Sequence, residues 1–325
     1  MAVVRRNILF NPAVRDAYLN GIMLLKNENT TALTTAFGIA GPPVLVRTYD
    51  LFVIWHHMTM MTPVPPGGSV RDRNAAHRGP IFLPWHRVML AFLEQGIQRV
   101  LNDPTFGLPY WDWSVDGSLP FPFQPNSPIW SAEAMGGQGD PVSNGRFAFN
   151  AGDPASFRVR IETDPPGILR QADRGLRRRF GVDSPSLPSA LDVGAAFNTF
   201  LDPSLATYDG PNFDRSSSGF RNRLEGFIGT GLHNQVHRWV GGDMVPESSP
   251  NDPVFYLHHA NVDRLWESWM VRNGRNYLPD MTAPATLLGH RIDDPIVSPL
   301  LGGMTVATPR LTLDISANYT YDLLV

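Results

Sequence analysis

Eight of the nine histidines in this 325-residue chain fall into two sets, and that grouping limits the folds open to it. In Leu232-His233-Asn234-Gln235-Val236-His237 two imidazoles lie four residues apart. On a helix that spacing stacks both rings on one face, one turn apart. Asn251-Asp252-Pro253-Val254-Phe255-Tyr256-Leu257-His258-His259 follows, so His258 or His259 can supply a third nitrogen from a helix predicted over 257–272. The upstream set is His56, His57, His77 and His86, and only His290 stands apart. The chain has no cysteine, so each set points to a metal ion held by neutral imidazole, a ligand suited to zinc, copper, iron and nickel.

The segments around these histidines carry a family resemblance. Phe82-Leu83-Pro84-Trp85-His86-Arg87, with Glu94 eight residues past His86, resembles the first copper motif of tyrosinases. Asn251-Asp252-Pro253 running into His258-His259-Ala260-Asn261-Val262-Asp263-Arg264-Leu265-Trp266 resembles the second. The pattern is similar to type-3 (binuclear) copper proteins of the tyrosinase, catechol oxidase and o-aminophenol oxidase family, of the compact bacterial kind. The resemblance implies a mainly α fold: a four-helix-bundle core around a dicopper site, long ordered loops and a little β. It implies His56, His77 and His86 as ligands of one copper, and His233, His237 and His259 as ligands of the other. His57 competes with His56, and His258 with His259. Neighbours on a helix point about 100° apart, so one of each pair is expected to face away, and the family pattern puts His258 outside. Asp263 is a candidate to hold a ligand's far N–H, its alternative being a pair with Arg264 or Arg87.

The family also implies roles for Glu225 and Asn234, which in relatives fix a water proposed to deprotonate an incoming phenol. A phenol of pKa near 10 must lose its proton to bind copper, so a nearby base helps. The implied activity is o-hydroxylation of monophenols and oxidation of o-diphenols or o-aminophenols, with two copper ions as cofactor and dioxygen as co-substrate. Alternatives are an oxidase without action on monophenols, a hemocyanin-like dioxygen carrier, and a dinuclear zinc hydrolase. Hydrolytic pairs usually include bridging carboxylates, and none stands in these motifs. Compact bacterial relatives often need a small copper-loading helper protein, an expected partner beside a small phenolic substrate.

Composition narrows the rest. Lys and Arg number 27 against 30 Asp and Glu, and no basic block offers a nucleic-acid footprint. Arg174 to Arg179 reads as a solvated helix face or lid. No apolar run reaches membrane-spanning length, and Met1-Ala2-Val3-Val4-Arg5-Arg6-Asn7 lacks the apolar stretch of an export signal. The expectation is a cytoplasmic protein, or one exported only with a partner carrying the signal. The absence of cysteine also rules out the cysteine–histidine thioether of fungal and plant members.

Periodicity predicts helices over 11–26 (Asn11 as cap, Pro12 in first position), 44–61, 85–101 and 257–272, with short turns over 219–228 and 231–240. Shorter helices are expected over 168–180 and 190–200, and a strand or two after Met304. Tyr110-Trp111-Asp112-Trp113 is expected to wall the core, as are Phe82, Trp85, Phe255, Trp266 and Trp269. The Met58, Met60, Met61 group reads as helix packing. Tyr319-Thr320-Tyr321 resembles the tyrosine motif that closes the family's catalytic domain. Residues 1–325 are therefore expected to be one catalytic domain without the shielding domain of fungal and plant proenzymes.

Overall fold

A computed structural model describes residues 2–164, 167–229, 231–298 and 303–325. Four helices among the described residues are longer than ten residues. They are α1 (Pro12–Asn27), α2 (Thr48–Met60), α3 (Phe82–Leu101) and α8 (Val254–Asn273). Between them in sequence lie the short α4 (Trp113–Gly117), α5 (Ala190–Ala196), α6 (Phe220–Glu225) and α7 (His233–Val240). α3 packs on α1 and α8, α2 packs on α1, and α7 packs on α8. One apolar cluster runs through these contacts, and Trp55, Trp85, Trp111, Trp113, Trp266 and Trp269 are all buried in it.

The strands pair two by two at the margins: β1 (Val3–Arg5) with β8 (Tyr319–Tyr321), β2 (Asn29–Leu33) with β3 (Leu45–Arg47), β4 (Val159–Asp164) with β5 (Ile168–Arg174), and β6 (Ile296–Ser298) with β7 (Met304–Ala307). The β1–β8 pair is parallel, with Val3 opposite Tyr319 and Arg5 opposite Tyr321. It joins the two ends of the chain beneath α3 and α8.

Local chemistry explains where the helices stop. Pro12 opens α1 as expected, but Asn11 makes no side-chain cap and donates instead to the Asn7 carbonyl at 3.1 Å. α3 begins at Phe82, three residues before the predicted start. Its Pro84 sits in the first turn, where a missing N–H costs nothing. α8 begins at Val254, three residues before the predicted start, its N–H accepted by the Asp252 carboxylate at 3.0 Å, and it runs to Asn273 with Gly274 as its cap.

Three helix expectations fail in whole or in part, the first two because another segment pairs with the chain there. The span 44–61 is not helical throughout, because Leu45–Arg47 pairs with Asn29–Leu33 before α2 begins. The helix expected over 168–180 is the strand β5, held in a hairpin on β4 that buries Val159, Ile161 and Leu169. The helix expected over 190–200 stops at Ala196, after a capping box formed by Ser189 and Asp192.

The arginine run is not a helix face: Arg177 and Arg179 reach solvent, but Arg174 and Arg178 turn into ion pairs. Arg174 bridges Glu162 and Asp243, and Arg178 is fully buried against Asp252 through two bonds of 2.7 and 2.8 Å. Asp252 thereby ties the start of α8 to the β-hairpin region, and Asn251 adds a 2.7 Å bond to the Ile161 carbonyl. Removing one member of a buried pair strands the other charge. Arg178→Met is therefore expected to cost about 3–5 kcal/mol of unfolding free energy in urea titration, with Arg178→Met/Asp252→Asn recovering part of it.

Candidate metal centre

The histidine sets converge at the middle of the helical core. His56 comes from α2, His77 from the loop after it and His86 from the first turns of α3. One nitrogen of each lies within 4.8 Å of the others. α7 supplies His233 and His237, whose ring centroids are 4.5 Å apart, and α8 supplies His258 and His259. The sets abut: the His86 and His259 rings stack at 4.1 Å with an interplanar angle of 9°. The metal-ligating groups found among the described residues contain no carboxylate.

Backbone carbonyls orient the rings. His56 Nδ1 donates to Glu247 O at 2.7 Å, His86 Nδ1 to Phe82 O at 2.8 Å, and His237 Nδ1 to Met244 O at 2.6 Å. A ring that donates through Nδ1 keeps its lone pair on Nε2. His56 Nε2, His86 Nε2 and His233 Nε2 are buried with no hydrogen-bond partner, and His237 Nε2 faces His259 Nε2 at 3.4 Å. Burial pushes His56 down to about 3 and His237 down to about 4, and holds His77, His86, His233, His258 and His259 well below the usual imidazole range. All seven are neutral at pH 7. Unpaired, uncharged nitrogen lone pairs aimed into a common space fit soft or borderline metal ions and leave a buried donor set unsatisfied without them.

His57 turns away from the cluster, as expected of one member of the His56/His57 pair, its Nδ1 at 3.2 Å from Thr163 Oγ1. His258 does not face away: helix rotation fails to separate it from His259, because α7 lies across both. Its ring stacks on His233 at 5.1 Å and touches His237 at 5.0 Å. Asp263 holds no ligand. It accepts from Arg87 at 2.5 Å, Arg5 at 3.2 Å, and the Tyr319 and Tyr321 hydroxyls at 2.6 Å each, while Arg264 pairs with Asp112. Burial alone would raise the Asp263 pKa, but Arg87, Arg5 and the two hydroxyls outweigh it and hold the carboxylate ionised. The carbonyls of Glu247 and Met244 were missed as ring-orienting groups, since any residue type supplies a carbonyl. Phe82 and Phe255 are core residues as expected, and also walls of the centre. Their rings lie 4.7 Å from His233 and 4.2 Å from His259, respectively.

A cleft of about 380 Å³ opens onto the histidines and is lined also by Met60, Arg78, Glu225, Asn234 and Arg238. Glu225 is fully buried. Its carboxylate accepts from the Arg78 backbone N–H at 2.6 Å and from Arg221 at 2.9 Å. Burial raises its pKa, and Arg221 works against that rise. Asn234 Oδ1 and the Glu225 carbonyl both approach His233 Nδ1, at 3.1 and 3.3 Å. The turn between α6 and α7 depends on Gly226, whose φ is +98° and where a Cβ would stand 3.1 Å from Gly231 Cα and Leu232 N.

The family model for the common central domain of tyrosinase matches residues 46–272. The chain belongs to the tyrosinase family. It is 36% identical over 281 residues to a tyrosinase of Streptomyces antibioticus, covering 85% of this chain and 89% of that one. It is 37% identical over 299 residues to grixazone synthase of Streptomyces griseus subsp. griseus, covering 84% and 90%. By structure it resembles a latent aurone synthase (polyphenol oxidase), with a TM-score of 0.57, 21% identity and 99% of this chain covered. It spans only 57% of that longer chain. A functional unit of octopus hemocyanin gives a TM-score of 0.51 at 18% identity, covering 99% of this chain and 68% of that one. Fold alone therefore does not separate oxidase from carrier. The sequence relationships do: the chain is an enzyme of the type-3 copper oxidase class, whose family membership implies a binuclear copper site and phenolic substrates. Copper-dependent oxidation of phenols is the activity they support. No helix among the described residues is long and apolar enough to cross a membrane.

A left-handed alanine costs roughly 1–2 kcal/mol before any contact is counted. Gly226→Ala is expected to lower the thermal midpoint of the metal-free protein and to weaken copper binding, read by calorimetry and by metal analysis after dialysis.

Proposed function

We propose that this chain hydroxylates monophenols and oxidises the resulting o-diphenols, or o-aminophenols, at a copper pair, taking dioxygen as co-substrate. His56, His77 and His86 hold one copper, and His233, His237 and His259 the other. The observation that carries this reading is the pair of abutting, carboxylate-free histidine sets with unpaired Nε2 atoms beneath an open cleft. Copper ions held by these two histidine sets would supply the redox chemistry that phenol oxidation by dioxygen requires.

The protein's own groups prepare the substrate. Glu225 and Asn234 line the cleft beside His233 and hold the water that takes the phenol proton. The Glu225 carboxylate is steadied by Arg221 and the Arg78 N–H, so it stays fixed while the proton moves. Its raised pKa makes it a stronger base than a surface glutamate. Phe82 and Phe255 exclude water from the ligand rings. His258 lies within reach of the second set but is the reserve nitrogen, with His259 as ligand because its Nε2 faces His237 Nε2 at 3.4 Å. Residues 1–325 act as one catalytic unit. His56, His77, His233 and His237 line the cleft, so a small copper-loading helper protein would deliver metal there.

His237→Ala is expected to reduce bound copper from two ions per chain to one, by metal analysis, whereas His258→Ala keeps two. Retention of two by His237→Ala refutes the ligand assignment. The substrate panel is tyrosine, catechol and o-aminophenol on copper-loaded protein. Glu225→Gln should lower monophenol turnover at least about 10²-fold, the usual scale for loss of a general base, while diphenol turnover falls much less. Turnover of catechol with tyrosine untouched in the native protein rejects the roles given to Glu225 and Asn234.

A further inference from the structure

Arg78 stands out among the residues lining the cleft. Its φ is +63°, in the left-handed region, where an arginine is strained and glycine would not be. The backbone is held there by its own N–H, which donates to the Glu225 carboxylate at 2.6 Å. Glycine would serve that bond equally well, so the strain points to a use for the side chain. Among the described residues the guanidinium donates one hydrogen bond, to the Arg71 carbonyl at 3.0 Å, and forms no ion pair. It lies 5.3 Å over the Phe227 ring, half-buried. An arginine fork presents five donors, so most of this one is uncommitted.

No carboxylate among the described residues forms an ion pair with it, although Glu225 and Asp72 lie near enough to favour its charge. Glu225 is the sole acidic side chain among the described residues lining the cleft, and its oxygens are engaged by Arg221 and the Arg78 backbone. Arg238, the other cation of the rim, is exposed, and its Nε donates to the Asp183 carbonyl at 3.0 Å. A second cavity of about 350 Å³ adjoins the cleft and shares Met60, Arg78 and Pro246 with it. Arg78 thus stands between the space over the histidines and a neighbouring recess whose lining also holds Arg71, Asp164 and Glu247, so an anionic arm is met favourably at the arginines and not at those carboxylates.

We propose that Arg78 is a specificity-determining residue that receives a carboxylate carried on an arm of the phenol ring, away from the reacting hydroxyl. This rests on the phenol-oxidase reading above. It makes the preferred substrates anionic phenols. A planar carboxylate matches the guanidinium fork in a way an ammonium or a neutral alkyl group does not.

The test uses the full-length, copper-loaded protein with a neutral probe (4-methylcatechol), two anionic probes of different arm length (3,4-dihydroxyphenylacetate and 3-(3,4-dihydroxyphenyl)propionate) and a cationic one (dopamine). Native protein should favour at least one anionic probe over the neutral one in kcat/KM, and the cationic probe least. Added salt should raise KM for the anionic probes and not for 4-methylcatechol. Arg78→Gln should lower the anionic-to-neutral ratio about tenfold, mainly through KM, and Arg78→Lys should keep it within about threefold, as expected for a charge-assisted bond. Copper content is measured for each variant. An unchanged ratio in Arg78→Gln, or an equal loss for neutral and anionic probes, overturns the proposal. If Arg78→Gln does not hold copper, the native protein decides: no anion preference, or no salt effect confined to the anions, overturns it. Failure of native protein to oxidise 4-methylcatechol at all would instead reject the phenol-oxidase reading.

Discussion

The structure depends on keeping seven imidazoles uncharged in a dry interior. A buried cation is costly, so the rings shed their protons, and their lone pairs become available to metal. That state lasts only while α3 and α8 stay pressed together, because their contact sets His86 against His259. α2 and α7 then bring His56, His233 and His237 to the same point. The aromatic rings of Phe82 and Phe255 fill the gaps and keep water from the ligand rings.

Holding α3 and α8 in place is the work of charges buried elsewhere. Asp263, on α8, gathers Arg87 from α3, Arg5 from the first strand and two tyrosines from the last. Arg5 also reaches Glu94 on α3 at 2.9 Å, and Glu94 accepts the Leu108 N–H at 2.7 Å. At the other end of α8, Asp252 and Arg178 join it to the loops that carry the cleft wall. Each of these pairs is costly to bury and costlier to break. Their value is in registry: they fix two helices at a separation that a metal pair can use.

The cleft shows a different economy. Glu225 is buried, bound by an arginine and by the N–H of a strained residue. Its neighbour Gly226 takes a conformation that other residues resist, so that α6 and α7 can turn back on each other. The strained Arg78 adjoins His77, and the buried Glu225 reaches His233 through its carbonyl. Groups fixed in this way are what catalysis by positioned residues requires.

What the sequence determined by itself is the ligand chemistry and the main helices. Histidine spacing at His233/His237 and the apolar period of α1, α3 and α8 are local properties, set by 3.6 residues per turn. Asn251-Asp252-Pro253 marked the second motif without revealing that Asp252 also pairs with Arg178. Tertiary structure decided what depended on distant partners. Leu45–Arg47 and Ile168–Arg174 became strands because other segments paired with them. Asp263 went to arginines and tyrosines because the chain ends meet beneath it. His258 came to the second cluster because α7 crosses α8 where both histidines can reach it. Carbonyls of Glu247 and Met244 orient two rings, and no sequence signal marks a carbonyl. Spacing along one helix is encoded in its own residues, but which side chain finds which partner is settled only when separate segments pack.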